Sequence, residues 1–244
     1  MIKHLPAEGM YRGKPTNWLD TIHHFSFAQY YNPDNMQFGS LRVLNDDLIA
    51  GHSGFSTHPH KDMEIVSYLV NGALTHRDSI GNEGVIRRGE IQYMSAGRGI
   101  YHSEINEADE TVRLLQLWIL PNANNLEPNY GDYKYEWAER VNKLLHLVSP
   151  QDGNAPVKLH QDVNLYATEL EQGKTLGFHL PKGRQCYVLQ VEGASLINCI
   201  QLKERDAVEA IEEDLNIEAT ASLSHLLFVE MGASNVYTKT TGRP

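Results

Sequence analysis

The sequence predicts an all-β protein made of two tandem barrels. Three observations carry that expectation: short runs rich in β-branched and aromatic residues recur through both halves, one dipeptide is a strong hairpin signal, and an internal repeat is visible. A chain of 244 residues exceeds the roughly 100–150 of a typical domain and has room for two cores.

In the first half the strand-like runs are 38–45, 64–70, 73–78, 84–88, 90–95 and 112–120, each bounded by Gly, Asn, Asp or Pro. Asn71-Gly72 between EIVSYLV and ALTH predicts a tight hairpin turn, because both central positions favour positive φ. Gly81-Asn82-Glu83-Gly84 and Arg88-Gly89-Glu90 mark further turns. Residues 121–142, rich in Asn, Pro and Tyr, read as a connector with one short helix around 136–142. Beyond 143 the runs LLHLVSP, VKLH, LYATEL, LGFHL, QCYVLQV, ASLINC, DAVEAI and SHLLFVEM predict a second β unit. Setting Gly193 on Gly72, an offset of 121 residues, places TLGFHLPKGRQCYVLQVEGA under SGFSTHPHKDMEIVSYLVNGA. The expected division is therefore 1–120, 121–142 and 143–244, a metal-binding barrel, a connector and a degenerate barrel without a metal site.

The net charge of −10 disfavours direct binding to a phosphate backbone, which needs a basic face to release counterions. The two cysteines, Cys186 and Cys199, supply neither a disulfide framework nor a thiolate cage, as expected of a reducing cytoplasm. The opening MIKHLPAEGMYRGK lacks the apolar stretch of a secretory signal, and no 18-residue uncharged apolar run occurs, so no membrane partner is expected. We expect a cytoplasmic monomer.

Twelve histidines in a chain with so little cysteine direct any metal chemistry to imidazole and carboxylate ligands. His58-Pro59-His60 and His102-Ser103-Glu104 are both i, i+2 pairs, the second following the turn Ala96-Gly97-Arg98-Gly99. In an extended strand such residues share a face about 6.5–7 Å apart, so two neighbouring strands present His58, His60, His102 and Glu104 to one ion. Three neutral nitrogens, one carboxylate and open positions suit a mid-row divalent metal. Fe(II) is the first choice; Mn, Co, Ni, Cu and Zn are the alternatives. In the repeat, His58 falls on His179 but His60 falls on Pro181, so the second copy lacks the set.

Glu64 is a rival carboxylate, but continuous extension puts it about 13 Å beyond His60. It is either an acceptor for the distal N–H of a metal-bound imidazole or a partner for turn backbone. Along 112–120, Leu115, Leu117 and Ile119 face one way and Leu114, Gln116, Trp118 and Leu120 the other, making Gln116 either a satisfied core amide or a ligand contact. Phe55, Met63, Tyr93 and Met94 flank the motifs as pocket or core. His23-His24 reads as packing or capping, and His52, His76, His146, His160 and His225, being isolated, receive no role.

THPHKDMEIVSYLVNG followed by GEIQYMSAGRGIYHSE resembles the pirin family of bicupins, proteins of two cupin (jelly-roll) barrels. HHFSFAQYYNPDNMQFGSLRVLNDD extends the likeness to bacterial pirin-like quercetinases, and VSPQDG and KLHQD carry it into the second half. The general cupin pattern takes its carboxylate from the position of Glu64, whereas the pirin variant moves it to Glu104. The resemblance implies a metal on His58, His60, His102 and Glu104, a metal-free second barrel, and cleavage of flavonols such as quercetin by O₂ with release of carbon monoxide. In a mechanism consistent with that activity, Glu104 serves as both ligand and proton acceptor. The alternatives are a metal- and redox-dependent regulator acting through protein partners, as animal pirins are, and a metal-dependent isomerase or sugar-binding cupin.

Overall fold

A computed structural model describes residues 1–233 and shows an all-β chain. The first half carries β1 (Ile2–Leu5), β2 (Tyr11–Arg12), β3 (Leu19–His23), β4 (Leu41–Ile49), β5 (Ser53–His60) and β6 (Glu64–Asn71). It continues with β7 (Ala73–Asp78), β8 (Glu83–Arg87), β9 (Ile91–Ser95), β10 (Ile100–Asn106), β11 (Val112–Ile119) and β12 (Asn129–Tyr133). The second half carries β13 (Leu145–Pro150), β14 (Val157–Leu159), β15 (Val163–Glu171), β16 (Thr175–Phe178), β17 (Arg184–Ile197), β18 (Ile200–Leu202), β19 (Ala207–Ile211) and β20 (Leu215–Gly232).

The first barrel closes a seven-stranded sheet, β12-β9-β6-β11-β4-β3-β2, over a four-stranded sheet, β5-β10-β7-β8. Ile49, Leu69 and Leu114 from the larger sheet meet Leu74 and Ile86 from the smaller one in a shared apolar cluster. The second barrel is one sheet, β1-β19-β17-β20-β15-β13-β14, with β16 and β18 paired to the long strands β20 and β17. Its interior is filled by apolar side chains, among them Phe178, Val188, Leu202 and Phe228.

The two barrels pack back to back. Leu44, Val66, Tyr68, Leu115, Leu117 and Ile119 turn out of the first barrel onto Leu147, Leu165, Tyr187, Leu189, Leu227 and Val229 of the second. Strands β6 and β11 are thus covered on both faces, which is why their sequences read as nearly unbroken apolar runs. Edge strands cross the junction: β1 pairs with β19 of the second sheet, and β12, inside the stretch read as a connector, pairs with β9 of the first. The helix expected around 136–142 shortens to a single 3-10 turn, Trp137–Arg140, without a side-chain cap and followed by Asn142 at φ 56°. So short a segment cannot propagate a helix on its own.

The hairpin expected at Asn71-Gly72 does not form: β6 pairs with β9 and β11 and β7 with β8 and β10, so the chain passes there from one sheet to the other, whereas Gly193 lies within the continuous strand β17. Gly72 and Gly193 adopt φ 82° and 76°, and a Cβ there would meet Val112 or the Leu223 carbonyl oxygen. Cys186 is buried and Cys199 exposed, both unpaired.

A polar network ties the junction together. Tyr68 donates to His225 Nε2 at 2.7 Å, and His225 Nδ1 donates to Glu192 at 2.9 Å. Arg88 donates to Glu192 at 2.7 Å, and the buried Arg140 donates to Tyr68 and to the Gly89 carbonyl. The guanidinium groups of Arg88 and Arg140 both lie against Trp137, 4.4 and 4.5 Å from the ring centroid. Burial opposes ionisation of Glu192, but the bonds from His225 and Arg88 prevail and hold its carboxyl down at about 2. An unfolded glutamate titrates near 4.3, so this group stabilises the fold above that pH and its contribution is lost as pH falls from there toward 2. Glu192→Gln is expected to cost about 1 kcal/mol at pH 7, kept small by partial exposure, and to flatten the acid loss of stability. Urea unfolding at a series of pH values between 7 and 2 measures both effects.

Candidate metal centre

The site is set by strand register. β10 pairs antiparallel with β5, placing His102 opposite His58, and with β7, placing Glu104 opposite His76. Alternation along β10 turns His102, Glu104 and Asn106 inward while Tyr101 faces solvent. A register shift between His102 and Glu104 gives β5 an extra residue opposite them. β5 is an edge strand, so Pro59 costs no ladder hydrogen bond.

The three imidazoles converge. Ring centroids lie 4.8 Å apart for His58 and His60, 4.5 Å for His58 and His102, and 4.8 Å for His60 and His102. His58 Nδ1 donates to the Ser56 carbonyl at 2.8 Å, which leaves its Nε2 lone pair free. That Nε2 stands 3.1 Å from Nε2 of His102. Two nitrogens each about 2.1 Å from one ion, at roughly a right angle, have this separation. Burial and the neighbouring imidazoles push His60 down to about 4 and His102 to about 2, so both are neutral at physiological pH. Neutral imidazole is the form that binds a metal.

Glu104 is fully buried beside this trio. It accepts hydrogen bonds from Ser67 at 3.0 Å, from Gln116 at 2.6 Å and from Gln92. Burial pushes its carboxyl up, and the bonds from Ser67 and Gln116 together with nearby histidines offset only part of that rise. Among the described residues two ligand groups meet the spacing of a metal site, His58 with His60 and His102, and His76 with His102 and Glu104; His102 belongs to both.

The remaining sequence candidates separate clearly. Gln116 is satisfied by side chains: its amide donates to Glu104 and its oxygen accepts from Trp118 Nε1 at 3.1 Å. It also lines a cavity of about 310 Å³ whose walls include Trp18, Phe27, Phe55, Trp118, His58 and His60. Asn45 lines the same cavity, and its Oδ1 has no hydrogen-bond partner among the described residues. Met94 is not in this wall; it packs with Ile65, Ala96 and Ile100, against which Trp118 rests.

Glu64 does not turn toward the histidines, because Asp62 at φ 49° breaks the extension from β5 into β6. It faces the second barrel, where it accepts from the backbone N–H groups of His160 and Gln161 at 2.7 and 3.0 Å. His23 and His24 are buried packing residues, the latter bonded to Tyr187 at 2.8 Å. His179 is exposed and pairs with Asp214.

Residue-type spacing missed several contributors. His76 lies against His102, stacked on Tyr130 with centroids 4.2 Å apart. Its only sequence signal was Asp78 two positions on, the same i, i+2 pattern as the other pairs. Ser67, Gln92, Trp18 and Phe27 carried none.

A double barrel with a histidine cluster inside its first half defines a bicupin. The description Pirin matches residues 7–119, and that of a quercetinase C-terminal cupin domain matches 146–231. A quercetin 2,3-dioxygenase of Escherichia coli is 38% identical over 213 residues, covering 86% of this chain and 91% of that protein. A pirin-like protein of Caulobacter vibrioides is 40% identical over 86% of this chain and 90% of its own length. The bacterial pirin YhhW of E. coli, solved with nickel(II), superposes with a TM-score of 0.88 at 36% identity, covering 96% of this chain and 100% of its own. The chain belongs to the pirin family.

Ser67→Ala is expected to cost about 1–2 kcal/mol, since it removes one donor from a fully buried carboxylate. Denaturant unfolding at pH 7 measures it, and Ser67→Thr, which keeps the hydroxyl, is expected to lose less.

Proposed function

We propose that the protein is a metal-dependent, ring-cleaving dioxygenase that opens flavonols such as quercetin with O₂ and releases carbon monoxide. Fe(II) is the working ion of this reading, held by His58, His60, His102 and Glu104. The observation that carries it is the 3.1 Å approach of His102 Nε2 to Nε2 of His58, which lines the wall of an aromatic-lined cavity. A bound divalent ion would lower the pKa of the flavonol 3-hydroxyl and bring O₂ next to the activated ring.

The chain's own residues do the rest. Trp18, Phe27, Phe55 and Trp118 form an apolar sleeve for a flat aromatic ligand, with Trp18 edge-on to Phe55 and Phe27 edge-on to Trp118. Asn45 Oδ1 offers an acceptor to a ligand hydroxyl. Gln116 links the cavity to Glu104, whose elevated pKa makes it a stronger base than an exposed glutamate. Glu104 takes the hydroxyl proton, and the donors around it restrain its carboxylate in one place.

The test is anaerobic purification with elemental analysis, followed by aerobic assay against quercetin while flavonol absorption and carbon monoxide are both recorded. Turnover is expected with one ion per chain, and Glu104→Gln is expected to retain some metal while slowing substrate deprotonation by about 10²–10⁴-fold. Neither signal in the iron, manganese, cobalt, nickel or copper form would replace this reading with regulation through protein partners.

A further inference from the structure

His76, to which sequence spacing gives no role, touches the imidazole shared by both ligand groups. Its Nδ1 stands 3.4 Å from Nδ1 of His102, and its Nε2 stands 3.3 Å from Oδ2 of Asp78. Both separations lie at the long end of hydrogen-bond reach. Asp78 is itself held in place: its Oδ1 accepts from the Ile80 and Asn82 backbone at 3.0 Å each, and its Oδ2 from the Asn82 amide at 2.9 Å. Tyr130, from β12, stacks on the outer face of the His76 ring and restricts its rotation.

We propose that His76 is the positioning residue of the metal centre: it accepts Nδ1–H from His102, gives its own Nε2–H to Asp78, and so holds the His102 Nε2 lone pair toward His58 and His60. The direction of the chain follows from its end. A carboxylate can only accept, so the nitrogen of His76 facing Asp78 must carry the proton. Neutral His76 then has a lone pair at Nδ1, the proton between the two Nδ1 atoms resides on His102, and Nε2 of His102 is bare. The opposite polarity would put a lone pair against a carboxylate and an N–H into the space between His102 and His58. Metal-bound imidazoles are generally oriented by such a contact, and losing it typically costs 10–100-fold in affinity.

This inference rests on the metal-centre reading, and its test separates the two. In the metal-free full-length protein, long-range ¹H–¹⁵N spectra are expected to show His102 protonated at Nδ1; protonation at Nε2 overturns the proposal without any substitution. Cobalt(II) affinity is then measured by competition with a chelating dye for wild type, His58→Ala, His76→Phe, His76→Gln and Asp78→Asn.

His76→Phe keeps the stack on Tyr130 and is expected to weaken cobalt(II) binding 10–100-fold. His76→Gln can accept from His102 and donate to Asp78, and is expected to restore most of the affinity. Asp78→Asn, whose amide can face either way, is expected to give a mixture of His102 tautomers. Wild-type affinity in His76→Phe, equal weakness in the Gln and Phe variants, or a second cobalt(II) bound per chain would each sink the positioning role. Unchanged affinity in His58→Ala would instead sink the metal centre itself.

Discussion

The antiparallel register of β5 on β10 is the constraint on which the rest of the first barrel depends. It sets His58 across from His102, and the second neighbour of β10 sets His76 across from Glu104. A slip of β5 by one residue would turn His58 and His60 to the face opposite His102. The register is held by features that cost little at an edge: a proline with no donor to lose, a bulge, and Gly54, where a Cβ would collide with the Glu104 carbonyl oxygen. The close backbone approach at Gly54 and the convergence of imidazoles are therefore consequences of the same pairing.

The polar part of the first barrel's interior has to be supported from elsewhere. Glu104, Ser67, Gln92 and Gln116 satisfy one another inside it, but burying polar groups, even when paired, adds little net stability. The apolar burial that offsets this comes from the cluster of Ile49, Leu69, Leu74, Ile86 and Leu114 at one part of the interior and from the other face of the larger sheet, which packs against the second barrel. The second barrel, with Phe178 and Phe228 stacked in an apolar interior, acts as the stabilising half. On this view the second copy could lose a polar interior without loss to the fold, because its interior is where the apolar contacts accumulate. The Arg140–Tyr68–His225 contacts then fix how the two halves are oriented, a specificity that apolar packing alone supplies poorly.

Legibility followed burial. Strands covered on both faces, β6 and β11, were plain in the sequence because apolar residues run through them unbroken. The strands that carry the ligands, β5 and β10, did not stand out as apolar runs, since His58, His60, His102, Glu104 and Asn106 occupy positions that an ordinary core strand gives to Val or Leu. What revealed them was the chemistry of those residues and their period of two. Of the two roles the sequence allows Glu64, the structure shows the partner for backbone N–H groups, on the second barrel, because the left-handed Asp62 ends the extension from β5. The aromatic walls of the cavity come from β3's approach, the loop after it, β5 and β11, so Trp18, Phe27, Phe55 and Trp118 could be assembled only by the fold.

His76 shows where counting ligand types reaches its limit. An isolated histidine has no motif, and its i, i+2 partner is an aspartate three residues before Gly81-Asn82, where its side chain caps the hairpin turn. Its meaning lies in polarity rather than identity: a carboxylate at one end of a string of imidazoles dictates which nitrogen is bare at the other. Asp78 reaches its place because β7 and β8 form a hairpin closed by the turn at 79–82, and because that turn supplies three donors to the carboxylate. The loop chemistry of one strand pair is thus transmitted, through His76, to the lone pair that His102 presents on the neighbouring strand.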